Sequence, residues 1–403
     1  MEIGWIDFSD SDRKKALGVI SMMDEEGAVD EIGIGKIRDA FANIFFPGTS
    51  TIMTRAKYFF IVPYAFMEAV RNKNLTNYKM VINEVEEVIE KDCAKTMKKQ
   101  YPERGSGIIG TVSLPNKWVY RKPSSIYWNG LRQLGIFTWE NISSIESYVK
   151  IAIASRGNEL DKSKSKSDDD ENDSDDLDAG HRNSKPFWNV PQPDKNWRKN
   201  LSINLSKEEA GFLRDRISDK YQDTIFKSLV DNNVRLPEKA TFEQASELFY
   251  DLVSDTNKHL IDLANKFNLL VTLIRIRYNK ILTRGMNSDV MGNWDLYKER
   301  ISEIAEFNVR NTMAEVGVND LSARLFLEQS QSLLLNGNIS ELDDLIIKRE
   351  KALKGSRAKL PRANEYNPNG TLVAWYQLDY RMGTARRIIN DIFDAEGIDN
   401  GNA

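Results

Sequence analysis

DTNKHLIDLANKFNLLVTLIRIRYNKILTR, from Asp255 to Arg284, is the stretch that decides the fold class. Leu269, Leu270, Val271, Leu273 and Ile274 put apolar side chains around most of a helical circumference. A helix that is apolar on nearly every face lies inside its domain, with other helices packed around it. The flanks carry the same signature. Ser206 with Glu209, and Thr241 with Gln244, have the spacing of capping boxes, in which a hydroxyl and an acid or amide satisfy each other's backbone donors at a helix start. Leu321 to Leu335 and Ser340 to Leu353 read as a helical hairpin turned at Asn336-Gly337-Asn338, and Tyr380 to Phe393 as a last helix. Residues 186–403 therefore read as an all-α C-terminal domain.

Upstream, residues 1–155 read as an N-terminal helical domain. Ser9 and Asp12 open a helix whose stripe is Leu17, Ile20 and Met23. Further helices are expected from Gly35 to Phe46, from Ser50 with a break at Pro63, from Thr76 to Lys99 and from Asn141 to Ala154. Between them the texture changes. Ile108 to Val112 and Lys117 to Tyr120 read as short strands, followed by a capped helix from Ser124 to Leu134 closed by Gly135. Residues 108–137 thus resemble a small winged-helix-like α/β element. The fold class expected is mainly α, with that one element in the N-terminal domain. No internal repeat is visible.

The two domains are separated by residues 156–185, which alternate Lys with Ser and then run through Asp168-Asp169-Asp170-Glu171. So polar a segment cannot bury enough surface to offset its ordering entropy, and a disordered acidic linker is expected. The formal net charge of −4 conceals it: ten acids and three bases between Glu159 and Asp178 leave the rest of the chain at +3.

Composition excludes several chemistries. One cysteine, Cys93, supports neither a disulfide framework nor a cysteine zinc site. Two histidines, His181 at the linker's edge and His259 in a polar helical turn, give no triad and no His-rich metal site. Gly105-Ser106-Gly107-Ile108-Ile109-Gly110 matches GxGxxG but lacks the preceding strand and following helix that place a pyrophosphate on a helix N-terminus. No cofactor is expected. Carboxylate-only metal sites remain open, and Asp30, Glu31 and Asp39 are one cluster from which a metal-dependent nuclease could be built. The start of the chain has no signal-peptide pattern. The longest apolar run, Tyr58 to Val70, contains Pro63 and Glu68 and is too short to span a membrane, so a cytoplasmic protein is expected.

Three basic groups point to nucleic acid. Lys348, Arg349, Lys351, Lys354, Arg357, Lys359 and Arg362 give seven bases against one acid, with Trp375, Tyr376, Tyr380, Arg381, Arg386 and Arg387 following. Bases interleaved with aromatics suit phosphate tracking and base stacking. In the winged-helix-like element, Ser124, Ser125, Asn129 and Arg132 would face a groove while Arg121 and Lys122 meet phosphate. Finally, Ser50-Thr51 with Arg55 and Lys57 place hydroxyls and bases where a helix starts, an arrangement that binds anions. The acidic linker could fold over such bases and compete with nucleic acid.

Gly4-Trp5-Ile6-Asp7-Phe8-Ser9, Val29 to Phe41, Phe46-Pro47-Gly48-Thr49-Ser50-Thr51-Ile52, Thr54 to Phe59, Pro123 to Trp128, Arg349-Glu350 with Leu353-Lys354-Gly355, and Tyr380-Arg381 with Ala385 to Ile389 resemble a bacterial family described only as a domain of unknown function. The resemblance covers nearly the whole chain outside the acidic segment. It implies a place beside helicase and phospholipase-D-like nuclease genes in anti-phage islands, and carries over no catalytic residue. The expectation is a non-enzymatic, DNA-associated subunit with a helicase or nuclease partner and no membrane association. A protein–protein scaffold or sensor and a metal-dependent nuclease are the alternatives.

Overall fold

The computed structural model describes residues 30–103, 105–164 and 186–398. The helix expected at Ser9, His181 and most of the acidic tract lie outside them. In chain order the α-helices are α1 (Gly35–Phe45), α2 (Tyr58–Arg71), α3 (Tyr78–Asn83), α4 (Glu90–Gln100), α5 (Pro123–Gln133), α6 (Ile145–Lys164), α7 (Lys207–Lys220), α8 (Ile225–Asp231), α9 (Phe242–Phe249), α10 (Asp255–Leu282), α11 (Ser288–Tyr297), α12 (Val309–Glu315), α13 (Leu321–Leu335), α14 (Ile339–Lys354) and α15 (Met382–Glu396). No strand occurs among the described residues. The helical class stands and the winged-helix-like α/β element does not.

The chain divides into two compact units, each discontinuous in sequence: residues 1–44 with 239–380, and 45–238 with 381–403. The division does not fall at 156–185, and α6 carries regular helix through 156–164, where the linker was expected to begin.

In the first unit α10 is the central helix, as its sequence demands. Leu270, Val271, Leu273, Ile274 and Leu282 have no exposed surface. Phe41 of α1 stacks on Phe267 at 5.9 Å between ring centroids and tilts against Tyr380 at 5.4 Å. Polar residues inside α10 are used as well. Asn268 and Asn279, about three turns apart on one face, each exchange two hydrogen bonds with an extended segment. Leu378 N–H donates to Asn268 Oδ1 at 2.9 Å and Val373 N–H to Asn279 Oδ1 at 2.8 Å, with the amide groups donating back to the same residues' carbonyls. Side-chain amides thus replace the ladder that a neighbouring strand would supply. The α13–α14 hairpin turns at Asn336-Gly337-Asn338, where Gly337 takes φ +74°.

In the second unit α2 is buried over most of its length and continues through Pro63 without a break. The proline forfeits one hydrogen bond near the first turns, and burial of its neighbours from Tyr58 to Phe66 outweighs it. The helix expected from Thr76 to Lys99 is one continuous rod, α3 to α4, started by the Asn77 cap on Met80 N–H at 3.1 Å and interrupted only by a π-helical segment at Glu84–Ile89. An aromatic cluster of Trp128, Phe137, Tyr148, Phe187 and Trp188 packs at centroid distances of 4.8–6.5 Å; the one isolated bridge among the described residues, Phe137 with Trp188, lies inside it. The strands expected at 108–112 and 117–120 do not form: residues 109–116 are turns and 117–120 are irregular. Their polar groups go elsewhere: Lys98 Nζ donates to the carbonyls of Thr111 and Leu114 at 2.8 Å each, and Trp118 Nε1 to Glu86 O at 2.7 Å.

Candidate nucleic-acid interface

A base can hold a phosphate only if the fold leaves it unpaired. The expected bases separate sharply on that test.

At the start of α2, Arg55 and Lys57 are already matched. Arg55 Nε donates to both carboxylate oxygens of Asp391 at 2.8 and 3.0 Å, Nη1 to Ser106 O at 3.0 Å and Nη2 to Asn204 Oδ1 at 2.9 Å. Ala56 N–H donates to Asp391 Oδ2 at 2.7 Å, so an internal carboxylate occupies the anion site at this helix N-terminus. Burial pushes the Asp391 carboxyl up to about 6, against the pull of the Arg55 charge and the Ala56 N–H. Lys57 is buried with its Nζ 2.7 Å from both oxygens of Glu209, which also closes the capping box of α7. Ser50 caps nothing; Lys57 stands at the cap position of α2. The phosphate site expected here is corrected to an internal charge network.

The helix expected to read a groove is corrected in the same way. Ser124 is fully buried, and its N–H donates to Glu90 Oε1 at 2.6 Å. Burial, reinforced by Glu86, pushes the Glu90 carboxyl well above its ordinary range. The N-terminus of α5 is therefore filled from within. Lys122 pairs with Glu87 at 2.6 Å and donates to Val119 O at 2.8 Å, and Arg121 is half-buried beside it. Of the residues expected at the groove, only Ser125 and Asn129 are exposed, and Arg132 lies at the other end of the helix.

The 348–362 stretch divides internally. Arg349 is spent on the backbone of its own unit, donating to Ile32 O at 2.9 Å and Gly33 O at 3.4 Å and to Ser322 Oγ at 2.6 Å. Lys354 is buried and pairs with Glu31 at 2.8 Å. Behind them Glu350, with no exposed surface, accepts from Tyr278 Oη at 2.6 Å and from the N–H groups of Lys359 and Leu360 at 3.1 and 2.9 Å. That carboxylate folds the chain back after Gly355, whose φ of +58° ends α14. The remaining bases point outward. Lys348 and Lys351 share the solvent face of α14 and Arg357 follows in the turn; all three are exposed, and no carboxylate among the described residues lies within pairing distance. Arg362 makes only a loose 3.8 Å pair with exposed Glu365, and Lys359 is half-buried. Of the aromatics, Tyr376 is 85% exposed, Trp375 half-buried and Tyr380 buried.

Arg386 donates to the carbonyls of Pro237 and Glu238, and Arg387 to Met53 O and Thr384 Oγ1, so both serve the frame of the second unit. Asp391 and Asp394, sequence neighbours of these arginines, pair instead with Arg55 and Arg235.

The carboxylates proposed for a metal do not converge. Asp30 accepts from the N–H groups of Ile32 and Gly33, Glu31 pairs with Lys354, and Asp39 with Arg38. Among the described residues no three His, Cys, Asp or Glu side chains come together as metal ligands. Cys93 is buried, and burial pushes its thiol up. His259 makes an exposed 2.9 Å contact with Glu315. Residues 105–110 form turns, with Gly107 against the Arg55 stem and Gly110 against the Trp118 ring. No helix among the described residues is long and apolar enough to cross a membrane.

A family model, Family of unknown function (DUF6361), matches residues 1–293. The chain belongs to this family. The match spans both units in part and stops before α12, so the exposed bases of α14 lie beyond it. No curated protein and no solved structure matches the chain.

Sequence reasoning missed Arg216 and Lys220. They stand one helical turn apart at the end of α7 and line a cleft with Arg132. Their i,i+4 spacing was visible; their convergence with Arg132 was not, because nothing local encodes it.

Proposed function

We propose that the chain is a non-enzymatic, nucleic-acid-associated subunit of a bacterial anti-phage defence system, acting in the cytoplasm with a helicase or nuclease partner. The observation that carries the nucleic-acid part is the sorting of charge in 348–362. Arg349 and Lys354 are consumed by partners inside the unit, while Lys348, Lys351 and Arg357 are held outward without a carboxylate partner among the described residues. Bases presented this way neutralise backbone phosphates and release counterions on binding, without reading sequence. The exposed Tyr376 offers a stacking face on the same unit. The defence role and the partner are supported by the family resemblance.

The test is fluorescence anisotropy with duplex and single-stranded DNA at two salt concentrations, using the full chain. Binding is expected at low salt. Reversal of Lys348, Lys351 and Arg357 to Glu is expected to abolish it, and neutralisation of each to lower the log–log salt slope by about 0.9 for duplex. Absence of binding at low salt, or binding indifferent to the reversal, overturns the reading. Capture of a protein partner that survives nuclease treatment and is lost on reversal would assign the same bases to an acidic protein surface instead.

A further inference from the structure

The second unit contains a cleft of about 440 Å³ whose lining includes Arg132, Phe137, Thr138, Asn189, Arg216 and Lys220. Three segments far apart in sequence build it: the end of α5 with the turn that follows, the irregular segment at Asn189, and the last turns of α7. Its volume lies within the range of about 300–1,000 Å³ common to small-molecule sites.

Several cations elsewhere in this unit are matched by carboxylates: Arg55 by Asp391, Lys57 by Glu209, Arg214 by Glu396. Of the three bases in the cleft, only Arg216 has a carboxylate partner among the described residues. Arg132 spends one N–H on Glu140 O at 3.2 Å, and its Nε, shielded from water, makes no hydrogen bond. Arg216 pairs only with Asp219, three residues along its own helix at 2.8 Å, whose side chain is 63% exposed. Such a pair is held weakly and exchanges readily. Lys220 has no carboxylate within pairing distance among the described residues. Its stem lies over Gly135, which takes φ +65° and where a Cβ would come within 2.6 Å of Lys220 Cε. Glu140 is the one acid in the lining. Bases at the C-terminal ends of α5 and α7 also complement the helix dipoles. That accounts for one base at each helix end; it does not account for a third, or for a buried guanidinium nitrogen left without a partner.

We infer that this cleft binds the terminal phosphate of a compact ligand, either a free nucleotide or the 5′-phosphorylated end of a nucleic-acid strand. A terminal phosphate carries close to two negative charges and three acceptor oxygens. Two guanidinium groups and an ammonium match both the charge and the donor geometry. The apolar wall at Phe137 lowers the local dielectric and focuses the field of these cations on the cleft. The exposed Asn189 amide supplies a neutral partner at the rim.

The test titrates the full chain by calorimetry with AMP, ADP, adenosine, and one short oligonucleotide carrying either a 5′-phosphate or a 5′-hydroxyl. AMP and ADP binding without adenosine identifies a free nucleotide; preference for the 5′-phosphorylated oligonucleotide identifies a strand end. Either result supports the inference if Arg132→Gln and Lys220→Gln each weaken binding about tenfold or more, the loss of a hydrogen bond to a charged group. Arg216→Gln serves as a third variant should either of the others melt early. The Glu reversals on α14 are expected to leave this binding unchanged, which separates its failure from that of the proposed DNA surface. No binding by any phosphorylated probe, equal binding of phosphorylated and unphosphorylated probes, or binding indifferent to all three variants overturns it.

Discussion

The bases at 55–57 and three of those at 348–362 look alike in the sequence and are opposites in the fold. Arg55 and Lys57 each meet a buried carboxylate at 2.7–2.8 Å, and their charge is used up holding the second unit together. In the first unit Lys348, Lys351 and Arg357 meet none. The difference comes from who occupies the helix ends. Asp391 fills the N-terminus of α2 and Glu90 that of α5, so the sites where phosphate was expected already hold a carboxyl group of the chain's own. A cluster of positive charge says little about partners until its internal acids are located.

The largest effect should come from breaking a locked pair. Arg55→Met leaves Asp391 buried with only the Ala56 N–H for company, and a buried charge so stranded costs about 3–5 kcal/mol. Chemical denaturation should show that loss. A change under about 1 kcal/mol, the range of exposed pairs, would mean that the network is a surface feature.

The first unit has its own locked centre, and Glu350→Ala should cost somewhat less, about 3 kcal/mol. The substitution strands Tyr278 Oη and the N–H groups of Lys359 and Leu360. It should also loosen the turn that presents Arg357, so DNA affinity is expected to fall together with stability. Glu350→Gln keeps an acceptor and should retain part of both. Equal losses for the two substitutions would place the role in charge rather than in hydrogen bonding.

Acidity provides a finer probe of the Arg55 network. Asp391 in the native state titrates at about 6, against 3.8 ordinarily. Between those values the native state holds more protons at this site than the unfolded chain, so the site's contribution to stability falls as pH rises from about 4 to about 6 and is flat above. The full window is worth about 1–3 kcal/mol. Melting temperatures of the parent and Asp391→Asn compared from pH 4 to 7.5 should converge or diverge in that interval alone, with the parent losing ground as pH rises. A constant offset across the interval would show that the carboxyl keeps its ordinary value.

How far this was legible follows from the range of each interaction. The α10 core, the two capping boxes and the α13–α14 hairpin were readable because each is decided within a few residues. The turns at 109–116 and the irregular residues 117–120 read as strands because a short apolar run fixes no partner. Their carbonyls are satisfied by Lys98 rather than by a neighbouring strand. Arg55 and Asp391 lie 336 residues apart, and Lys57 and Glu209 lie 152 apart, so no local pattern announces either pair. The same distance effect hid the cleft, whose Arg132 was picked out for a groove it does not face and whose Lys220 was not picked out at all.

The smallest effect is the most discriminating one. Lys348, Lys351 and Arg357 make no ion pair among the described residues, so replacing each with Ala should change stability by no more than about 0.5 kcal/mol, as at ordinary surface positions. Relief of mutual repulsion between Lys348 and Lys351, one turn apart on α14, could even raise the melting temperature slightly. The fold then gains nothing from three cations that it takes trouble to hold outward. Measured beside Arg55→Met, this contrast separates charge that builds the protein from charge available to something else. A loss of more than about 1 kcal/mol at any of the three would show that it, too, is structural, and would remove it from the proposed DNA surface.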